Sequence, residues 1–233
     1  MNGTCLALAV CAALLATGCG PYEQAEETSE SRSVELAGAE SARIQVDLGA
    51  GELWIDGGSA KLMDADFHYS VRSWRPEIHY DVSAGRGFLT VRQPHVHGFH
   101  SGNRDNRWDL RLNDKAPIDL RVNVGAGEGK LNLSGTALRR LEVEIGAGEV
   151  NVDLTGAWDH DLEATVRGGV GEATIKLPRE VGVRATATGG LGGVNVQGLH
   201  KEGGYYVNDA YGKSAVHIRL NVTGGIGQIN LIG

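Results

Sequence analysis

The sequence predicts an all-β fold: a right-handed β-solenoid-like stack of strand–GxGE–strand repeats preceded by a short antiparallel meander. Three observations predict it. Apolar residues alternate with period two, a Gly-x-Gly corner recurs six times, and the four central corners begin at 125, 146, 169 and 190. Period-two alternation is typical of half-buried strands, and repeats of 21 to 23 residues are typical of stacked coils.

The clearest copy of the repeat spans residues 141–154. Its apolar positions are 141, 143 and 145 and then 150, 152 and 154, so their parity changes across Gly146 to Glu149. In a straight strand this change would turn the apolar face from core to solvent. We therefore predict that the chain bends at each corner. The predicted structural corners are Gly49, Gly51, Gly125, Gly127, Gly146, Gly148, Gly169, Gly171, Gly190, Gly192, Gly225 and Gly227.

Composition bounds the class of protein. Glycine accounts for 35 of 233 residues, roughly twice the usual share, but it is phased with Val, Ile and Leu, which favours ordered turns. The net charge of −7 and the lack of a basic face argue against nucleic acid as a partner.

The N-terminus resembles a bacterial lipoprotein signal. Residues 1–18 contain an apolar run too short to span a bilayer, and it ends in Leu14-Leu-Ala-Thr-Gly-Cys19. Ala16 stands where leucine is commonest, and no Lys or Arg precedes the run. The resemblance implies lipidation at Cys19 and attachment to the outer face of the inner membrane or to the outer membrane. An ordinary cleaved signal and an uncleaved cytosolic protein are the alternatives.

The remaining chain divides into three parts. We expect an acidic flexible tether over 19–38, an N-terminal segment with the β-meander over 39–113, and the solenoid repeats over 114–233. An insertion, residues 200–214, separates the fifth corner from the sixth. Its tyrosines could bind a glycan or a partner, and packing against the solenoid flank is the reading we favour.

The first corner unit, the segment Lys61 to Tyr69, the segment Arg107 to Leu112 and the repeated Gly-Ala-Gly-Glu corners resemble the toast-rack domains. These modules occur in LiaF-type cell-envelope stress proteins and in adhesin-like bacterial proteins. The resemblance covers roughly residues 40–233 and implies a β-solenoid-like fold. It says little about function, because its motifs are structural glycines and core positions.

Glutamates follow three central corners, at Glu128, Glu149 and Glu172. If the coils stack in register, these side chains form a ladder with a spacing of about 4.8 Å. Like charges at that distance repel, so the carboxylates must splay into water, accept corner N–H groups or bind a cation. A phosphate site is disfavoured, because no corner has the lysine and helix start that a phosphate loop needs.

His95, His97 and His100 form the strongest candidate metal cluster, in a loop without a strand pattern. We expect no tight metal site there and no cofactor.

The sequence therefore favours a non-enzymatic, lipid-anchored envelope protein that binds a partner protein in stress response or adhesion. The alternative is a solenoid enzyme that acts on envelope polysaccharide through surface carboxylates. The C-terminal strand is expected either to be covered by the body or to pair with a partner strand at an open edge. The sequence gives no indication of the oligomeric state.

Overall fold

The protein is all β, as predicted. The structure is a computed structural model that describes residues 27–94 and 105–233. Thirteen strands form one hydrogen-bonded sheet, and the described residues contain one short 3-10 turn, Arg72–Trp74.

Six long strands each carry one Gly-x-Gly corner near the middle. They are β2 (Ser41–Ser59), β7 (Ile118–Asn132), β8 (Leu138–Asp153), β9 (Leu162–Lys176), β10 (Gly182–Gln197) and β13 (His217–Ile232). Each runs parallel to its long neighbours, and the register continues through the corners. We call the residues before a corner the first arm and those after it the second arm.

Each long strand folds back at its corner. Ile118, the first residue of β7, pairs with Leu138, the first residue of β8. A straight strand from 118 to 132 would be about 46 Å long, whereas the connection from 132 to 138 can span at most about 22 Å. The connection can reach the start of β7 only if the second arm has already brought the chain most of the way back.

The hydrophobic core lies between the two arms. In β8, for example, Val143 and Ile145 of the first arm and Val150 and Val152 of the second arm belong to the same buried cluster. Side chains on both sides of the parity change therefore face the same core, which is why the apolar pattern shifts at the corner. Burying one such side chain contributes about 1.5–3 kcal/mol.

Seven short strands flank the long ones. They are β1 (Thr28–Val34), β3 (Met63–Tyr69), β4 (Glu77–Ser83), β5 (Arg86–Arg92), β6 (Asn106–Asn113), β11 (His200–Glu202) and β12 (Tyr205–Val207). β5 pairs in parallel with the first arm of β2, and β6 pairs in parallel with its second arm. Together β5 and β6 thus complete one further coil at the N-terminal end.

The predicted meander consists of two antiparallel ribbons on different arms. β4 pairs with β5 on the first arm, whereas β1, β3 and β6 pair on the second arm. The 3-10 turn at Arg72–Trp74 connects the two ribbons. β3 and β4 are consecutive in sequence but are not paired, because the turn moves the chain from one arm to the other.

The prediction of a flexible tether through residue 38 is wrong for residues 28–34, which form β1. This strand has no apolar alternation, and its serine hydroxyls instead pair it with β3. Ser31 Oγ donates to Asp66 at 2.5 Å, and Ser33 Oγ donates to Asp64 at 2.6 Å. Hydrogen bonds from Ser33 and Ser59 hold the pKa of Asp64 below its ordinary value of 3.8.

The long strands do not stack in sequence order. The C-terminal strand β13 lies between β9 and β10 and pairs in parallel with both along its length. The body therefore covers the C-terminal strand, which was the first of the two predicted alternatives. The proposal that this strand offers an open edge to a partner is wrong, because β10 occupies the outer position.

The insertion covers part of β10. β12 pairs antiparallel with β10 at Arg184 and Ala185, and β11 pairs with β12. The Arg184 guanidinium lies 3.5 Å from the ring centroid of Tyr205. Asn208, which is 4% exposed, accepts a hydrogen bond from Val183 N at 2.9 Å. The tyrosine-bearing insertion thus packs on the solenoid flank.

Candidate binding surface along the corner row

The six corners lie side by side in one row. The strand register places the middle residues of the corners in the spatial order Ala50, Ala126, Ala147, Val170, Ile226 and Leu191. Adjacent corners are one strand spacing apart, about 4.8 Å. The row therefore presents a continuous edge in which one side chain of each coil projects outward.

Glycine is required at the corners for two different reasons. The second glycine of each corner has a left-handed backbone angle, as in Gly148 with φ 127°. The first glycine has no such angle, but a Cβ on Gly146 would overlap the carbonyl oxygen of Gly125 in the next coil. A Cβ on Gly148 would likewise overlap the carbonyl oxygen of Gly127. Backbone conformation and close coil spacing thus exclude side chains here.

The corner row changes from small to large apolar side chains toward the C-terminal end. Val170 is 52% exposed, Ile226 is 53% exposed and Leu191 is 73% exposed. These three residues, which we call the corner ridge, lie on the neighbouring strands β9, β13 and β10. Contiguous exposed apolar residues are typical of interaction surfaces. The middle residue of each corner carries this signal in the sequence, whereas the corner glycines predict only the bend.

The predicted glutamate ladder is present in the strand register. Glu52 pairs with Glu128, Glu128 with Glu149, and Glu149 with Glu172. The carboxylates are exposed or half-buried. Toward the C-terminal end the row continues with Gln228 and then Gly193, so its charge ends where the corner ridge is largest.

Neighbouring donors and solvent satisfy these carboxylates. Lys130 Nζ lies 2.9 Å from Glu128 Oε1. Glu172 accepts hydrogen bonds from Asn230 Nδ2 at 2.6 Å and from Thr174 Oγ1 at 3.3 Å. Within residues 27–94 and 105–233, no group of three or more His, Cys, Asp or Glu side chains is placed to hold a metal ion. The arrangement is that of a solvated charged row.

A groove of about 990 Å³ runs along the first-arm side of the corner row. Corner backbone at Gly49, Gly125 and Gly146 forms part of its lining together with Trp74. Its lining contains two acidic residues and two arginines, Asp47, Glu144, Arg92 and Arg167. Arg167 Nη1 lies 3.2 Å from Glu144 Oε1. The groove is open, mostly apolar and internally neutralised, which suits contact with another molecule better than acid–base chemistry.

Several predicted site residues lie outside the described part of the chain. These are the lipidation candidate Cys19 and the histidines His95, His97 and His100. The lipid anchor and the absence of tight metal binding in that loop therefore stay predictions. No helix in the described residues is long and apolar enough to cross a membrane.

The fold and the corner row define a two-armed β-solenoid with glycine corners. The family model described as the N-terminal domain of toast_rack, DUF2154, matches residues 23–176. The chain belongs to this family, which confirms the resemblance found in the sequence.

A solved structure is similar over almost the whole of its chain. The chain is 38% identical, with a TM-score of 0.86, to a structure described as a "putative cell adhesion protein" from Clostridium sporogenes, over 88% of this chain and 99% of that one. A "putative adhesin" from Bacteroides fragilis is 12% identical over 91% of this chain and all of that one, with a TM-score of 0.34. That second likeness is too low to carry an argument. No curated protein matches the chain.

Proposed function

We propose that the protein is a non-enzymatic, lipid-anchored module of the bacterial cell envelope, which binds a partner protein in adhesion or in envelope stress response. The observation that carries the proposal is the corner ridge of Val170, Ile226 and Leu191. The 38% identity to a structure described as a cell adhesion protein supports a role of this kind at the cell surface.

The physical case for the corner ridge rests on its rigidity and its position. Each ridge residue lies between two glycines whose backbone is fixed by the neighbouring coils, so a partner would meet a surface that is already ordered. Preorganisation lowers the entropy cost of binding. Full burial of one such side chain contributes about 1.5–3 kcal/mol. Three adjacent apolar residues therefore supply an anchor for a contact, and polar neighbours must complete the interface.

Site-specific photo-cross-linking in cells tests this surface. A photoreactive amino acid at Ile226 of the full-length protein should give a discrete cross-linked product with another envelope protein. The matched control is Asn151, which lies on the outer face of the second arm of β8, away from the ridge. A product that forms equally from both positions, or from neither, would contradict the proposal.

The competing function is hydrolysis of envelope polysaccharide by the carboxylate row. The row lies on an open surface rather than in a cleft, and a catalytic site needs convergent groups in a concave pocket. We propose instead that these carboxylates keep the protein soluble. Glycan hydrolysis that is lost in Glu149→Gln would overturn it.

A further inference from the structure

The second arm of β10 forms an open edge of the sheet. On one side β10 pairs with β13 along its length, and on the other side it pairs with β12 at Arg184 and Ala185 alone. Among the described strands, none pairs with the outer side of residues 188–197. The backbone groups of this outer side are therefore available to another strand.

The hydrophobic core is only partly covered at this edge. Val194 and Val196 face the core in register with Ile229 and Leu231 of β13. Ile229 is 2% exposed and Leu231 is 0% exposed, whereas Val194 and Val196 are only half-buried. Stacked repeats need a polar terminal unit where they meet solvent. This end of the stack lacks one on its second arm.

This edge differs from the other edges of the sheet in having no charged side chains. The outermost strands at the remaining edges carry charged side chains: Glu30 and Arg32 on β1, Glu77 and Asp81 on β4, and Lys201 and Glu202 on β11. Such charges discourage strand pairing between molecules. In contrast, residues 185–199 contain no Asp, Glu, Lys, Arg or His. Of the four sheet edges that the structure describes, only this one thus lacks the charged side chains that discourage pairing with another molecule.

We propose that the second arm of β10, residues 193–197, pairs antiparallel with the same segment of a second copy across a two-fold axis. A second copy is the occupant that fits, because its own end is equally apolar and uncharged. Under this symmetry Val194 of each copy lies opposite Val196 of the other, beside the partly covered core. A closed two-fold pair also uses up both open edges and cannot extend into a fibre.

The net charge of −7 does not prevent this pairing. Charges more than about 8–10 Å apart are largely screened at physiological ionic strength. The uncharged segment spans both the contact strand and its flanks, so the acidic groups of the two copies stay apart. Pairing is therefore expected to strengthen moderately as salt increases.

The pairing would place the N-terminal lipid anchors of the two copies far apart. Eight strand spacings separate β1 from β10 on the second arm, or about 38 Å at 4.8 Å each. A tip-to-tip pair would place the two N-terminal ends roughly 80 Å apart on opposite sides. This arrangement suits a link between two surfaces. That consequence rests on the proposed lipid attachment, whereas the pairing itself does not.

Disulfide trapping tests the contact. Directly opposite residues in an antiparallel pair have Cα atoms about 4.5–5.5 Å apart, within reach of a disulfide. The outward-facing substitution Asn195→Cys lies at the centre of the pair, opposite its own copy, and should give a covalent dimer under mild oxidation in the full-length protein in membrane vesicles. Gln197→Cys would lie opposite Gly193 of the second copy and should not, which tests the register. Asn151→Cys is the matched control, because it lies in the same row of the second-arm sheet but on an interior strand. A dimer equally strong from the control would overturn the contact.

Sedimentation of the detergent-solubilised full chain provides the second test. The wild type should be dimeric, and Asn195→Lys combined with Gln197→Lys should raise the dimer dissociation constant about tenfold or more, since like charges oppose each other across the pair. Both positions are exposed, so the variant should stay folded, which an unchanged circular dichroism spectrum checks. A monomeric wild type, a dimer unaffected by the lysines, or binding of the edge only by a different protein would overturn the proposal. Cross-linking from Ile226 reports the partner-binding function separately, because it does not involve residues 193–197.

Discussion

At the scale of single residues, the corner glycines connect the sequence pattern to the fold. The parity change in the sequence was sufficient to predict a bend at each corner. It was not sufficient to predict why both glycines are needed, because the carbonyl oxygen that blocks a side chain at Gly148 comes from Gly127, in another coil. Contacts between repeats depend on the register, which a single repeat does not contain.

We predict that Gly148→Ala lowers the free energy of unfolding by about 1–3 kcal/mol or more, since it combines a left-handed backbone angle with overlap against the next coil. Gly129→Ala is the matched control within β7. Its Cβ would meet only ordinary van der Waals neighbours, the closest at 3.5 Å, and its φ is not left-handed. Urea denaturation should show a near-neutral effect for the control. Equal stability of Gly148→Ala and wild type would refute the corner argument.

At the scale of elements, the sequence predicted the existence of the long strands but not their order. Each long strand has its own corner and alternation, so all six could be found locally. The position of β13 between β9 and β10 leaves no local signal, because core residues look alike whichever strand lies beside them. The insertion at 200–214 was the one hint, since it gives the chain enough length to pass around β10.

The strand β1, in contrast, could not be predicted at all from the sequence pattern. Its sequence, Thr28–Val34, is polar and reads as a tether because hydrophobic alternation is absent. Its stability comes instead from serine–carboxylate pairs with β3, and those pairs require a partner strand more than 30 residues away. Polar edge strands of this kind cannot be predicted from the spacing of apolar residues.

We predict that the contribution of Asp64 to stability depends on pH. Its folded-state pKa lies below the ordinary value of 3.8 because of hydrogen bonds from Ser33 and Ser59. The stabilisation is therefore fully present above the unfolded-state pKa and is lost as the pH falls through the folded-state pKa. Melting curves should show Asp64→Asn less stable than wild type from about pH 5 to 8. The difference should shrink below about pH 3.8, and a constant difference down to pH 2.5 would contradict this assignment.

At the scale of the whole molecule, the stack has two different ends. The N-terminal end carries charged outer strands and leads to the predicted anchor, whereas the other end carries the corner ridge and the uncharged edge of β10. With the proposed lipid anchor at Cys19, this polarity would place the apolar surfaces away from the membrane. The sequence could not reveal it, because the spatial order of β10 and β13 decides which residues are exposed.

The anchor gives a direct prediction. Palmitate labelling of the full-length protein in bacteria should label the wild type and not Cys19→Ser, because lipidation requires the thiol. The labelled protein should fractionate with membranes, since several acyl chains hold a protein stably where one does not. An unlabelled wild type would exclude the lipoprotein assignment.

The central claim is that the corner ridge binds a partner protein without catalysis. The most direct measurement places a photoreactive amino acid at Leu191. It then compares the yield of the cross-linked partner between the otherwise unchanged protein and the double variant Val170→Ser and Ile226→Ser. Because the substituted side chains are exposed, the melting temperature should stay unchanged while the cross-linked product falls at least about tenfold, as expected when 1.4 kcal/mol or more of apolar contact is removed. An undiminished product from the folded double variant would contradict the claim.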